Sequence, residues 1–142
     1  MPDLDLAAAN VMTDAAVAFA RQNGWRIAIA IVDEGGNVVR ITRMDECNFL
    51  APDIARGKAV GAAAWKLASV ELNNRLQTNV AYAAGIIALT GNRVAPVQGA
   101  LPIWNGSRCL GAIGVSGARS DEDEAVARAG LRASAFTEKQ GG

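Results

Sequence analysis

Histidine is absent from the 142 residues, and this absence excludes several function classes at once. Without histidine, one subunit cannot build a Ser–His or Cys–His nucleophile, or a zinc or haem site with a histidine ligand. Cysteine is nearly absent as well. Cys47 and Cys109 form no C-x-x-C motif, so we predict two ordinary thiols, no metal site and no redox site.

An excess of charge of either sign is also missing, because 14 basic residues balance 14 acidic ones. No basic surplus is available to neutralise a phosphate backbone, so we expect no nucleic-acid partner. No apolar run approaches the roughly 20 residues that span a bilayer. The acidic start, Met1–Asp5, lacks the basic and apolar regions of a signal peptide. We therefore expect a cytoplasmic protein with no membrane partner.

Hydrophobic residues are abundant, at 51% of the chain, and many of them are alanine. A domain of this length hides roughly 68–70% of the surface that its unfolded chain exposes, so we expect one folded domain over 1–142. The periodicity of the apolar residues predicts its first elements. These are a helix over 4–24 that ends at Gly24, a β-hairpin with strands over 26–32 and 38–43, and an alanine-rich helix over 52–70.

The second half of the sequence is less regular, since its strand-like segments contain glycine and proline. Asn105-Gly106 is the clearest hairpin signal in the chain. The order of helices and antiparallel strands predicts an α+β class. The predicted elements are a short helix or turn over 71–84, a strand over 85–90, an irregular edge strand over 94–104, a strand over 108–116 and a helix over 120–137.

Arg43, Asp45 and Lys58 are the charged residues that best suit a ligand site. They come from the end of one strand and from the helix that follows, so they can meet over one edge of the sheet. Arginine binds carboxylates with two hydrogen bonds, and a partly buried lysine can act as an acid, a base or an amine. The group suits a small anionic or carbonyl-bearing ligand. The alternative is a surface ion pair of Asp45 with Lys58 or Arg43.

Glycine recurs in two later segments, 99–103 and 111–117. Glycine on a strand indicates close approach by another backbone, a helix or a ligand. Neither segment has the G-x-G-x-x-G spacing of a dinucleotide site, so tight packing and a ligand pocket both remain open. In the pocket interpretation, the ligand-binding residues are Arg43, Gln98, Gly99, Pro102 and Ser116.

Several motifs follow one another along roughly 4–135. They are Val32-Asp33-x-Gly35-Gly36, Arg43-Met44-Asp45, Ile54-Ala55-Arg56-x-Lys58-Ala59, Leu101-Pro102-Ile103, Gly111-Ala112-Ile113-Gly114-Val115-Ser116-Gly117 and Asp121-x-Asp123-Glu124. In this order they resemble the GlcG/HbpS family, which includes the C-terminal domain of PduO-type proteins. The resemblance implies a three-layer α-β-α domain with a five-stranded antiparallel sheet, similar to profilin-like and PAS-like folds. It also implies a homo-oligomer and, in some members, a bound haem or corrinoid-related ligand.

Haem-binding relatives tend to use a histidine ligand, which this chain lacks. We therefore predict no cofactor and no tightly bound haem at a defined axial ligand. The other residues that could serve as the axial ligand are Met12, Met44, Tyr82 or a cysteine thiolate.

Two function classes follow from the resemblance and from the charged group. The favoured one is an oligomeric protein that binds a small organic ligand, as an accessory or sensor protein in a catabolic pathway. The alternative is a metal-independent enzyme for a small carboxylated or carbonyl substrate, which Arg43 orients while Asp45 or Lys58 transfers a proton. If the three residues share a pocket, Lys58→Met should abolish binding or turnover while the fold stays intact.

Overall fold

A four-stranded antiparallel sheet forms the centre of the computed structural model, which describes residues 3–141. Met1, Pro2 and Gly142, and with them the first part of the acidic start, lie outside the described residues. The strands follow the order β2-β1-β4-β3 across the sheet. They are β1 (Ala28–Asp33), β2 (Val38–Arg43), β3 (Ala100–Asn105) and β4 (Arg108–Ser116).

The described residues form five helices: α1 (Leu6–Gln22), α2 (Ala51–Trp65), α3 (Ser69–Gln77), α4 (Val80–Leu89) and α5 (Ser120–Arg132). Four of them pack on the two faces of the sheet, whereas α4 packs beside α3. Successive side chains of a strand point to opposite faces. Ile29 and Ile31 of β1 pack with α1 and α5, whereas Ala30 and Val32 pack with α2 and α3. The α+β class and the β-hairpin of β1 and β2 are therefore confirmed.

The prediction of a fifth strand is wrong for residues 3–141. The segment 85–90, which was predicted as a strand, belongs to the helix α4. A segment that is apolar on every side has no periodicity to separate a strand from a helix. The side chain of Asn79 begins the helix, since its Oδ1 accepts a hydrogen bond from the Tyr82 amide at 3.0 Å.

Two predicted helices are shorter than their apolar patterns suggested. α2 ends at Trp65 because Lys66 adopts the left-handed conformation, with φ 55° and ψ 41°. α5 ends at Arg132, and the chain beyond it returns to the sheet, where Thr137 forms a bridge with Trp104. Both helix ends depend on backbone geometry outside the apolar pattern.

β3 lies at the edge of the sheet, as its prolines predicted, although it begins at Ala100 and not at residue 94. The Ala100 amide donates outward to Ser69 Oγ at 2.8 Å. The Trp104 amide donates to the Thr137 carbonyl at 2.7 Å. Pro102, between them, has no amide hydrogen, so this edge offers few free donors to another strand.

Gly114 of β4 allows α2 to approach the sheet closely. A Cβ atom on Gly114 would lie 2.9 Å from the Ala59 amide nitrogen and 3.0 Å from the Ala59 Cβ, and closer still to the Ala55 carbonyl oxygen. Tight packing is therefore the correct interpretation of glycine at this position. The close approach brings Lys58, the residue before Ala59, to the end of β4.

Candidate functional site

Lys58 forms an ion pair with Asp123 in the interior of the protein, where Lys58 is only 3% exposed. Its Nζ donates to Asp123 Oδ2 at 3.0 Å and to the Val115 carbonyl at 2.9 Å. The other carboxylate oxygen, Asp123 Oδ1, accepts from the Ala118 amide at 2.9 Å. The pair thus connects α2, the end of β4 and the first turn of α5.

Burial raises the pKa of the Asp123 carboxyl, while the charge of Lys58 and the Ala118 amide act in the opposite direction. A buried ion pair stabilises a fold little more than an apolar pair of the same size would. Removing one partner nevertheless lowers the stability strongly, since the other charge stays buried alone. The first role of Lys58 is therefore structural, as one half of a buried ion pair.

Gly99 lies directly against this ion pair. Its φ is +137°, and a Cβ atom there would lie 2.8 Å from Lys58 Nζ and 3.1 Å from Asp123 Cβ. Ser116 follows Val115 and is buried. Gln98 is half-buried in the loop before Gly99. The structure thus places Gly99 next to Lys58, and Ser116 beside the carbonyl that Lys58 binds.

The surface ion pair of Asp45 with Lys58 or Arg43, which the sequence allowed, is wrong for residues 3–141, because Lys58 pairs with Asp123 and Asp45 forms no ion pair there. The signal that could have found this partner is the pattern of α5. Asp123 stands on the same helical face as Val126 and Ala127, at i, i+3 and i+4, and all three are buried. A carboxylate on an apolar stripe needs a buried cation.

Arg43 and Asp45 line a different feature, a cavity of about 420 Å³ between the end of α1 and the end of β2. We call it the Trp25 cavity. Its wall consists of Val17, Arg21, Gly24, Trp25, Arg26, Thr42, Arg43, Met44 and Asp45. Lys58 is not part of this wall, so the structure does not bring the three predicted residues together.

The end of α1 shapes one wall of the Trp25 cavity. Gly24, with φ +72°, reverses the chain after the helix, as the sequence predicted. The Trp25 amide donates to the Ala20 carbonyl at 2.9 Å and the Gly24 amide to the Arg21 carbonyl at 3.1 Å, the two bonds of a Schellman motif. The Trp25 ring makes an edge contact with Phe19, at 6.0 Å between ring centroids. The sequence analysis missed Arg21 and Trp25 as site residues.

The Trp25 cavity carries more positive than negative charge. Arg26 forms an exposed ion pair with Glu46 at 3.1 Å. Within residues 3–141, neither Arg21 nor Arg43 forms an ion pair with an acidic side chain, and neither does Asp45 with a basic one. Two guanidinium groups therefore face one free carboxylate, which leaves one positive charge in excess.

Pro102 lies away from both places, on a cavity of about 470 Å³ beside the edge of β3. Arg128 lines this cavity and forms ion pairs with Glu138 at 3.1 Å and with Glu124 at 3.6 Å. The predicted ligand residues are therefore spread over three places in the fold. Arg43 is the only one of these predicted ligand residues that lines the Trp25 cavity.

The part of the chain that the structure describes offers neither a cluster of metal ligands nor a membrane-spanning helix. No group of three or more metal-ligating side chains is found in it. No helix there is both long and apolar enough to cross a bilayer. Cys47 and Cys109 are free and buried, and burial raises the pKa of both thiols.

An antiparallel sheet between two helical layers, with a cavity at one end of the hairpin of β1 and β2, places the chain among layered α+β domains. A family model described as "Haem degrading protein HbpS-like" matches residues 4–132. The chain therefore belongs to the HbpS-like family. The resemblance to the GlcG/HbpS family and to PduO-type proteins is confirmed.

Three similar proteins illustrate the range of this family. An uncharacterised 15.0 kDa protein from the dhaT-dhaS intergenic region of Citrobacter freundii is 30% identical over 128 residues, 90% of this chain and 89% of the relative. The PduOC:heme complex has a TM-score of 0.89 at 26% identity and covers 98% of this chain and 100% of its own. A double mutant of Streptomyces reticuli HbpS has a TM-score of 0.82 at 32% identity, with 93% and 87% covered.

Proposed function

We propose that this HbpS-like chain is an oligomeric protein that binds a small organic molecule in the Trp25 cavity. The cavity carries the proposal: its volume of about 420 Å³ lies in the range of roughly 300–1,000 Å³ that is usual for ligand pockets. Its wall is more polar than that of most such pockets, since apolar surface from Trp25 and Met44 adjoins four charged side chains, a combination that suits a polar or charged ligand. The small-molecule complex of the similar PduOC domain supports this proposal.

An accessory or sensor role in a catabolic pathway suits this site better than turnover. Lys58 is engaged by Asp123 and Val115, and Asp45 is the one carboxylate on the cavity wall. Lys58 is therefore withdrawn from proton transfer, which leaves Asp45 alone among the described wall residues for that role. Two buried free thiols are typical of a reducing compartment, which supports a cytoplasmic location.

Native mass spectrometry of freshly purified protein is expected to show a fraction that carries an added small-molecule mass. Met44→Trp should remove that mass, because the larger side chain fills the cavity. The matched control is Val97→Trp, at an exposed apolar residue outside the cavity wall, which should retain the mass. Wild-type protein without any added mass, or equal occupancy in Met44→Trp, would contradict the proposal.

The helix α4 supports the oligomeric part of the proposal. None of its ten residues is buried, although its sequence, VAYAAGIIAL, contains no charged side chain. Val80 and Leu89 are 74% and 82% exposed. A contiguous apolar surface of this kind marks an interaction site. A second copy suits it as partner, since a chain of zero net charge opposes self-association only weakly.

Sedimentation velocity at micromolar concentration is expected to give a multiple of 14.7 kDa. Leu89→Lys should shift the mass toward one subunit, since a charge would be buried between two apolar helices. Leu6→Lys, at an exposed residue of α1, is the control and should leave the mass unchanged. A wild-type mass near 14.7 kDa would overturn this part of the proposal.

The residues of this chain do not fit a haem at a defined axial ligand. Met12 lies in the core, Tyr82 is on α4, and burial raises the pKa of the Cys47 and Cys109 thiols, which disfavours the thiolate. Met44 alone of these candidates lines the Trp25 cavity. Haem titration is expected to give no sharp Soret band at one-to-one stoichiometry. Such a band, lost in Met44→Leu, would show that haem binds here.

A further inference from the structure

We infer that the ligand of the Trp25 cavity is a monocarboxylate, whose carboxylate binds Arg21 and Arg43 and whose flat apolar part lies along Trp25. This inference rests on the proposed function and names its class of ligand. The sequence left an anionic and a carbonyl-bearing ligand both open, and Arg43 was the one arginine that it named for the site. The second arginine comes from the end of α1.

The two arginines are available for a ligand because their surroundings do not occupy them. Two carbonyls in the last turn of α1, at Ala20 and Arg21, accept hydrogen bonds from the Trp25 and Gly24 amides, and the Arg21 side chain makes no hydrogen bond among the described residues. Among the described residues, Arg43 forms no ion pair either, although Asp45 is two positions away. Arginine holds a carboxylate with paired, charge-assisted hydrogen bonds.

The charge of the cavity selects an anion over a neutral carbonyl compound. Arg21, Arg43 and Asp45 are all exposed, so a carboxylate gains a screened attraction to the positive excess, and a neutral ligand gains none. Asp45 also limits the ligand to one carboxylate, since a second one near it would be repelled. A hydroxyl or amino group of the ligand could donate a hydrogen bond to Asp45 instead.

The apolar part of the wall suits a flat group. Trp25 is held by its edge contact with Phe19, with the ring planes at 66° to each other, and Val17 and Met44 add apolar surface. Aromatic rings pack well against an indole that is fixed in this way. Benzoate combines a single carboxylate with a flat ring, and benzamide is its neutral counterpart of nearly the same shape.

The test follows the indole N–H signal of Trp25 by NMR while benzoate, benzamide or phthalate is added to the wild-type protein. Benzoate is expected to shift this signal and to bind about tenfold more tightly than benzamide, the value of one charge-assisted hydrogen bond. Phthalate, with two carboxylates, should bind more weakly than benzoate. Arg21→Gln and Arg43→Gln should each abolish the advantage of benzoate over benzamide. Arg132→Gln, at the exposed end of α5, is the matched control and should leave it unchanged.

The outcomes separate this inference from the proposed function. Equal affinity of benzoate and benzamide, or a benzoate affinity that neither Arg21→Gln nor Arg43→Gln lowers, would overturn the carboxylate assignment and leave a small-molecule site in place. If no probe shifts the Trp25 signal and native mass spectrometry shows no added mass, both the inference and the proposed function are wrong.

Discussion

Replacing Lys58 by methionine is expected to lower the free energy of unfolding by about 3–5 kcal/mol, the usual cost of breaking a buried ion pair by removing one partner. Methionine retains the apolar stem of lysine, so the loss reports on the ammonium group. Without that group, Asp123 stays buried with only the Ala118 amide as a partner, and the Val115 carbonyl loses its donor. Urea denaturation at pH 7 measures the change.

The matched control is the double variant Lys58→Met/Asp123→Leu, which replaces the ion pair by an apolar pair. It should recover much of the lost stability, because no buried charge remains unpaired. A loss of no more than about 1 kcal/mol in the single variant would mean that the pair contributes only as much as a surface ion pair. A double variant that is no more stable than the single one would show that the loss does not come from an unpaired buried charge.

The pH dependence of the single variant gives an independent check. Burial already raises the pKa of Asp123 in the folded protein, and the charge of Lys58, which acts against this rise, is gone in Lys58→Met. A carboxyl whose folded pKa is raised binds its proton more tightly when folded, so acid favours the folded state. The deficit of Lys58→Met should therefore shrink as the pH falls through the raised pKa of Asp123 and be largest above it. A deficit that grows toward acid pH would contradict this account.

Gly114→Ala is expected to lower the free energy of unfolding by about 3 kcal/mol, the upper part of the usual range for overpacking a core. The added methyl group would meet the backbone of α2 at Ala55 and Ala59, and a helix backbone cannot move aside as a flexible side chain can. α2 would have to withdraw from β4, and Lys58 would move with it. Thermal and urea denaturation measure the loss.

Gly85→Ala is the control for this substitution. Gly85 lies inside α4, and a Cβ atom there would meet nothing within 4 Å. Because α4 is the proposed contact between copies, both glycine variants are compared in the Leu89→Lys background. There Gly85→Ala should stabilise the protein by roughly 0.5–1 kcal/mol, since alanine costs less conformational entropy in a helix than glycine does. If Gly114→Ala left the melting temperature unchanged in that background, the close contact described between α2 and β4 would be contradicted.

Local chemistry predicted the elements whose ends or turns depend on a few neighbouring residues. Gly24 ends α1 through a left-handed turn, and Gly106, with φ +61°, closes the hairpin between β3 and β4. The alternation in β1 predicted a strand buried on both faces. α4 was misassigned because its uniformly apolar sequence fits a strand as well as a helix. The helical form of this segment is supported by the side-chain cap from Asn79 and by the packing of α4 beside α3.

The candidate site also contains residues that are neighbours in the sequence and residues that only the fold brings together. Arg43, Met44 and Asp45 are adjacent in the chain, so the sequence alone kept them together at the end of β2. Arg21 and Trp25, which line the same cavity, come from the end of α1. The ion pair joins Lys58 to Asp123, which lies 65 positions further along the chain. The sequence by itself determined the missing histidine, the balanced charge, the hairpins and the family motifs. Tertiary structure decided which charges are buried together, since that depends on how closely α2 and α5 approach the end of β4, and no local pattern records such a distance.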